Sequence, residues 1–368
     1  MADFSRVLAG PFATMLLGDL GADVVKVEHP DGGDETRAWG PPFSGGHSTY
    51  YLAINRNKRS VTLDLKDEQG RRAARALAAR ADVLVENFKA GGAERLGLGY
   101  EEVARDNPGL VWCSISGFGR GAGAELPGYD FLVQAMSGLM SITGPAGGEP
   151  TKVGVALVDV LTGLYATTGI LAALQERART GRGQRVEVSL LGSALASLVN
   201  QASSFLCTGT PPRAMGNRHP SITPYETLAT ADRPLVVAVG NDGQFARLCR
   251  ALGRDELAAD PRFATNASRV TNRDELAALL EEALAARGAA DWVAALAETG
   301  VPCGLVNDVG EAFALAERLG LDPVADAGGV PQVANPIGLS ATPVSYRLAP
   351  PVLGQHTAEV LRWLATAP

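Results

Sequence analysis

Residues 147–192 read GGEPTKVGVALVDVLTGLYATTGILAALQERARTGRGQRVEVSLLG: a loop, a single acidic residue, a long helix and then a strand. Asp159 stands at the helix entry. After it Leu161, Leu164, Tyr165, Thr168, Leu171 and Leu174 recur at steps of three and four, the period of one buried helix face. Arg177 and Arg179 suit the negative end of the helix dipole, and Gly181 is placed to stop the helix. Val186, Val188 and Leu190 then alternate with polar residues, as in a strand with one face toward solvent or a partner. A carboxylate at a helix N-terminus has two possible jobs. It caps the backbone, or it attacks an electrophile while the dipole keeps it ionised. Spacing alone favours the cap.

The 368 residues are enough for a sizeable core and two domains. A net charge of −7 argues against a nucleic-acid partner or an anionic membrane surface. The four cysteines, Cys113, Cys207, Cys249 and Cys303, are far apart and read as buried thiols in a reducing compartment, not as disulfides or metal ligands. The four histidines form no metal-binding pattern, so no metal is expected. Asp3 and Arg6 interrupt any early apolar run, which excludes a signal peptide from this reading. Residues 190–206 are the most apolar long window, but Ser193, Ser197, Asn200 and Gln201 make them a poor membrane span. The expected location is cytoplasmic, with no membrane partner.

Along the chain, residues 7–28 read as a Gly-Pro turn, a helix ended by Gly21 and a strand, the unit of an α/β sheet. No strand is evident before Val7 to feed that turn, so this reading expects a shortened N-terminus. Residues 55–60 (NRNKRS) concentrate three cations, either a solvated turn or a phosphate contact. Gly117-x-Gly119-x-x-Ala122 follows a strand, but no helix opens after it. It reads as a loop near a ligand, not a nicotinamide site. The expected organisation is a large domain over 1–210, a Pro/Gly-rich linker over 211–225, a small α+β domain over 226–322 and a return to the large domain over 323–368.

Several separate motifs now agree in order: RVLAGPFATMLLGDLGADVVKVE, NRNKRSVTLDLK, ADVLVENFKAGGAERLGL, the block 154–189, GNRHPSITPY, TGVPCGLVND and LGQHTAEVL. Together they resemble the family III CoA-transferases, the group of formyl-CoA transferase and the carnitine CoA-transferase, and the likeness covers nearly the whole chain. The resemblance implies a large Rossmann-like, doubly wound α/β domain built from both chain ends, a smaller α+β domain, and an interlocked homodimer. It also implies that Asp159 is the nucleophile, which reverses the preference for the cap. Residues matching the family's CoA contacts are Val7, Leu8, Ala9, Leu63, Lys66, Asn87, Phe88 and Arg95, and His29 stands where some relatives have an Arg near the adenine. No tightly bound cofactor is implied. CoA thioesters and a small carboxylic acid are the substrates.

The mechanism that the resemblance implies begins with attack of Asp159 on the donor thioester, giving a mixed anhydride and CoA thiolate. The thiolate then attacks the aspartyl carbonyl and releases the donor acid, leaving an aspartyl-CoA thioester that the acceptor carboxylate resolves. Gly216-Asn217 or Gly240-Asn241 are candidates to stabilise the oxyanions. The fold group also holds α-methylacyl-CoA racemases, which carry a His where this chain has Tyr129. A phenol is a poor base at neutral pH, so transfer is favoured and Tyr129 is read as lining the site. A non-catalytic CoA-binding protein would lack the nucleophile, which is present. Arg218 and His219 resemble relatives that use succinyl-CoA and a dicarboxylate such as glutarate. Arg218 is a possible grip on the distal carboxylate, or simply a loop cation facing solvent.

Overall fold

The computed structural model describes residues 1–366. The chain divides into two compact units. The first gathers Met1–Leu139, Lys152–Thr210 and the chain from Asp322 onward; the second gathers Met140–Thr151 and Pro211–Leu321. The segment 140–151 and the expected linker 211–225 thus cluster with the smaller unit. Gly216 N–H donates to Gly144 O at 2.9 Å, and His219 N–H to Tyr225 O at 3.0 Å. Their Gly and Pro content signals irregular chain, but carries no periodicity that would say which unit they join.

The first unit is built on a parallel sheet of β1 (Ala2–Asp3), β2 (Val24–Glu28), β3 (Lys58–Thr62), β4 (Val83–Glu86), β5 (Val111–Ser116) and β6 (Arg185–Ser189). Its order is β3-β2-β1-β4-β5-β6, with every neighbouring pair parallel. This is the doubly wound arrangement, in which strand order reverses beside the first strand. The expectation that no strand precedes Val7 is therefore corrected. Ala2 pairs with Val25 and with Leu84, and Phe4 N–H continues the ladder to Val85 O at 2.8 Å. Two ladder residues, one of them the buried Asp3, are too few to show alternation in the sequence.

Helix α1 (Ala9–Asp19) starts one residue before Gly10-Pro11, so that pair lies in its first turn instead of forming a turn ahead of it. Proline is tolerated there because first-turn N–H groups have no intrahelical partner. Gly10 is needed because a Cβ at this position would fall 2.3 Å from the Ser5 side chain. Helix α2 (Glu68–Arg80) is capped by Asp67, whose side chain accepts from the Gln69 and Gly70 amides. Helix α3 (Asp130–Met136) precedes α4 (Leu157–Thr180), and α5 (Leu190–Ser197) and α6 (Val199–Thr208) follow β6.

Helix α4 buries a different face from the one that its leucine period suggests. Val158, Thr162, Gly163, Ala166, Thr167, Ile170 and Ala173 face the core. Leu164, Tyr165 and Leu171 are each 44–45% exposed in the single chain. The small residues go inward because α1 approaches closely: a Cβ on Gly163 would lie 2.8 Å from Ala9 O. Gly181 does end the helix, with φ +73° and its N–H on Arg177 O at 2.7 Å. By length and composition α4 passes for a membrane-crossing helix, but its inner face belongs to the core shared by α1, β4 and β5.

The smaller unit has an antiparallel sheet of β7 (Tyr225–Leu228), β8 (Leu235–Ala238) and β9 (Cys303–Leu305), in the order β9-β8-β7. Helices α7 (Asp242–Ala251), α8 (Arg273–Leu284) and α9 (Ala289–Glu298) enclose a core that includes Phe245, Leu248, Leu276, Leu280, Trp292 and Leu296. In the first unit the chain closes with α10 (Thr357–Ala365), whose Val360 joins the core cluster holding Leu77 and Val61.

The cations of residues 55–60 are neither a solvated turn nor free for phosphate. Arg56 is 2% exposed and grips Asp19 with Nε at 2.9 Å and Nη2 at 2.7 Å; Lys58 is fully buried; Arg59 pairs with Asp23 and Glu359. Asp19, fully buried, also accepts from Asn57 at 2.8 Å and Asn335 at 3.1 Å. Asn57 in turn accepts from the amides of Arg347 and Leu348, so this knot ties the returning chain to α1. Replacing Asp19 by Ala leaves Arg56 buried without its counter-charge. The expected cost is about 3–5 kcal/mol, read as a lowered unfolding midpoint in urea.

Candidate active site

The C-terminal edge of the parallel sheet gathers most of the residues matched to CoA contacts. Val7 and Leu8 follow β1, Ala9 opens α1, Leu63 and Lys66 follow β3, and Asn87 and Phe88 follow β4. Arg95 closes a short helical turn shortly after Phe88. Doubly wound sheets bind ligands outside these strand ends, beside the point where the order reverses. Asn87 clamps the first loop, its Oδ1 accepting from Arg6 N–H at 3.0 Å and its Nδ2 donating to Arg6 O at 2.8 Å. Lys66 and Arg95 are exposed, Leu63 is buried, and Phe88 lies 6.4 Å from the Phe4 ring. His29, after β2, has Nε2 3.9 Å from Asp64 Oδ1. After Gly117 and Gly119 the backbone runs on as loop until α3, as expected.

Asp159 sits in the first turn of α4, three residues into the helix, and it is not the cap. That place is taken through space by Asp130, whose Oδ1 accepts from Val158 N–H at 2.8 Å and Asp159 N–H at 3.2 Å. Asp130 Oδ2 accepts from Gln134 Nε2 at 2.7 Å, and Gln134 Oε1 accepts from Val153 N–H at 2.9 Å. The loop entering α4 is thereby anchored on α3. Among the described residues no hydrogen bond or ion pair engages the Asp159 carboxylate, which remains available for chemistry. Gly163, one turn further along α4, is the residue pressed against Ala9 O, so α4 meets the head of α1 one turn beyond the carboxylate.

The expectation that the helix dipole keeps this carboxylate well ionised needs correction. Burial, reinforced by the Asp130 charge, pushes the Asp159 carboxyl from 3.8 up to about 7. A carboxylate of higher basicity is the better nucleophile, and at neutral pH a useful fraction remains ionised. Tyr50 belongs to the same environment: burial, then Asp159 and Asp130, raise its phenol to about 12. Its ring meets Trp39 edge-on, with centroids 5.1 Å apart. Tyr129, by contrast, caps α3 through its backbone and leaves its side chain 65% exposed. Its neighbour Asp130, which no sequence pattern marks, is the residue that caps α4.

The remaining candidates lie in the smaller unit and are largely engaged. Gly216 and Gly240 already donate their amides, to Gly144 O and to Gln244 Oε1. Asn241 caps α7 by accepting from Gln244 N–H, and Asn217 Nδ2 donates to Thr227 Oγ1 at 3.1 Å. Arg218 forms ion pairs with Glu226, at 2.9 Å, and with Asp274. The His219 ring meets Tyr225 at a tilt of 57°, centroids 5.3 Å apart, and its Nδ1 accepts from Ser221 N–H.

A raised carboxyl pKa has a signature in stability. Between the ordinary value of 3.8 and about 7 the folded chain holds a proton that the unfolded chain has lost, so ionising Asp159 costs stability progressively as pH rises through that window. Asp159→Asn is expected to raise the melting temperature by several degrees at pH 8 and by less at pH 5. An equal shift at both values contradicts the raised pKa.

Comparison with known proteins agrees with this geometry. A family model described as CoA-transferase family III matches residues 1–357. The succinate–glutarate CoA-transferase of Agrobacterium fabrum is 46% identical, over 99% of this chain and 94% of that protein. The mouse (Mus musculus) succinyl-CoA:glutarate CoA-transferase is 43% identical, over 98% of this chain and 84% of its own length. The crystal structure of a CAIB/BAIF family protein from Brucella suis superposes with a TM-score of 0.89 at 46% identity, covering 99% of this chain and 97% of that one. Doubly wound sheet, uncapped carboxylate and sequence agree: the chain belongs to CoA-transferase family III, whose members move CoA between carboxylic acids.

Proposed function

We propose that this chain moves CoA from succinyl-CoA to glutarate, or a dicarboxylate like it, through a thioester on Asp159. The observation that carries this reading is the Asp159 carboxylate itself: partly buried, uncapped, of raised basicity, and packed one turn from the loop where the sheet order reverses. Succinyl and glutaryl donors and acceptors are what the similar transferases of Agrobacterium fabrum and mouse are named for.

In this reading the nucleotide lies over Val7–Ala9, Leu63, Lys66, Asn87, Phe88 and Arg95, and the thioester reaches Asp159. The carboxylate adds to the thioester carbonyl and CoA thiolate leaves, giving the mixed anhydride. The thiolate attacks the aspartyl acyl carbon and succinate leaves. Glutarate then attacks the aspartyl thioester, and the returning thiolate takes the glutaryl group and frees Asp159. Each step forms one acyl bond as another breaks, so neither ATP nor water is consumed. Tyr129 and Tyr50 border the acyl group.

Two further parts belong to the proposal. The exposed apolar residues Leu164, Tyr165 and Leu171 of α4, with Leu195, Phe205 and Leu206, are the face on which a second copy packs to make the homodimer. The free cysteines, of which Cys207 is exposed and Cys303 half-buried where all four were expected to be buried, suit a reducing cytoplasm. Fractions from size-exclusion chromatography, mixed with succinyl-CoA and glutarate, are expected to form glutaryl-CoA in the dimer peak. Asp159→Ala, in the same peak, is expected to lose at least about 10³-fold in rate while still binding CoA. Turnover within tenfold of the unaltered protein sinks the mechanism.

A further inference from the structure

The loop between β1 and α1 is held by an unusual set of buried charges. Lys26, in the middle of β2, and Asp34 are both fully buried and 2.8 Å apart. Lys26 Nζ also donates to Ser5 O at 2.9 Å. Asp34 accepts from Val7 N–H, 3.3 Å from each carboxylate oxygen, and from Thr36 N–H and Oγ1. Ser5 N–H and Oγ donate in turn to Asp3, itself buried and 3.2 Å from Lys58 Nζ. Burial opposes the charged form of Lys26, yet Asp34, Asp3 and Glu28 together outweigh it and the ammonium is held above its usual range.

What this set enforces is a backbone conformation. Val7 has φ +70°, the left-handed region that a β-branched residue almost never adopts. Such a conformation is strained and persists only where its surroundings over-determine it, typically at a ligand site. Among the described residues the Val7 amide donates only to Asp34, and Asp34 is fixed by Lys26. Apolar side chains often replace a buried ion pair at no cost in stability, so the pair's presence is weak evidence of a purely stabilising role.

We propose that Lys26 and Asp34 are positioning residues: as a buried pair they hold Val7 in its left-handed conformation, and so shape the first loop for the nucleotide end of the CoA thioester. This rests on the reading of that loop as a CoA site. Neither residue touches substrate. Their effect is on how tightly the thioester is bound, not on the acid that accepts CoA.

The test uses the full-length protein, with CoA itself as the calorimetric probe and Michaelis constants for succinyl-CoA and glutarate. Asp34→Asn is expected to weaken CoA binding and raise the KM of succinyl-CoA about tenfold, the equivalent of about 1.4 kcal/mol, with the KM of glutarate changed less than threefold. Val7→Pro, which forbids positive φ and removes the N–H while leaving every buried charge in place, is expected to do the same. In a Val7→Gly background, where left-handed backbone costs nothing, the Asp34→Asn loss is expected to shrink below threefold. CoA affinity within threefold of the unaltered protein in Val7→Pro overturns the proposal, as does an equal rise in both Michaelis constants or an undiminished loss in the glycine background. If the unaltered protein binds no CoA, the functional reading itself fails, a distinct result.

Discussion

The contact between α1 and α4 is the constraint on which the arrangement depends. Gly163 lets α4 approach until its backbone meets Ala9 O, and the small residues on either side of it continue the close face. A side chain there would push the helices apart, and with them the loop at the head of α1 and the carboxylate one turn up α4. Packing of this density does not yield by fractions of an ångström without cost. A helix chosen for closeness on one side has to carry its large apolar residues on the other, so Leu164, Tyr165 and Leu171 stand outward.

The electrostatics divide along the same line. Beneath the first loop, opposite charges are paired and buried, Lys26 with Asp34 and Lys58 with Asp3. Burial draws the Lys58 ammonium down to about 8, against the pull of Asp3, and the layer tolerates this because Pro11 O and Asn55 also accept from it. At the head of α4, two carboxylates of like sign are neighbours. Asp130 is satisfied by the helix amides and Gln134, whereas Asp159 has burial and a negative neighbour, which is how a carboxyl is kept basic. Satisfied charges fix the scaffold; the unsatisfied one is left for chemistry.

Much of this is written locally in the chain. The helix around residues 157–180, its Gly181 stop and the role of Asp159 as the residue to watch follow from spacing and family likeness. What spacing could not show depends on contacts between distant segments. The strand Ala2–Asp3 is too short to show alternation, and only its pairing with β2 and β4 defines it. The leucine period of α4 marks an apolar face, but that face stands outward in the single chain and the small residues go in, because periodicity reports hydrophobicity and not the identity of the neighbour. The cations of residues 55–60 look like a surface run until Asp19 and Asp3, far away in sequence, are brought to them. Asp130 lies 29 residues before the amide it caps, beyond the reach of any local capping rule.

In the proposed reaction Asp159 carries CoA covalently between donor and acceptor. The most direct test is intact-protein mass spectrometry after brief mixing with succinyl-CoA and no acceptor, followed by peptide mapping. The account predicts an adduct of CoA less one water on the peptide containing Asp159, removed by hydroxylamine and absent from Asp159→Asn. Glutaryl-CoA formation by a protein that shows no such adduct, or shows it on another residue, would contradict it.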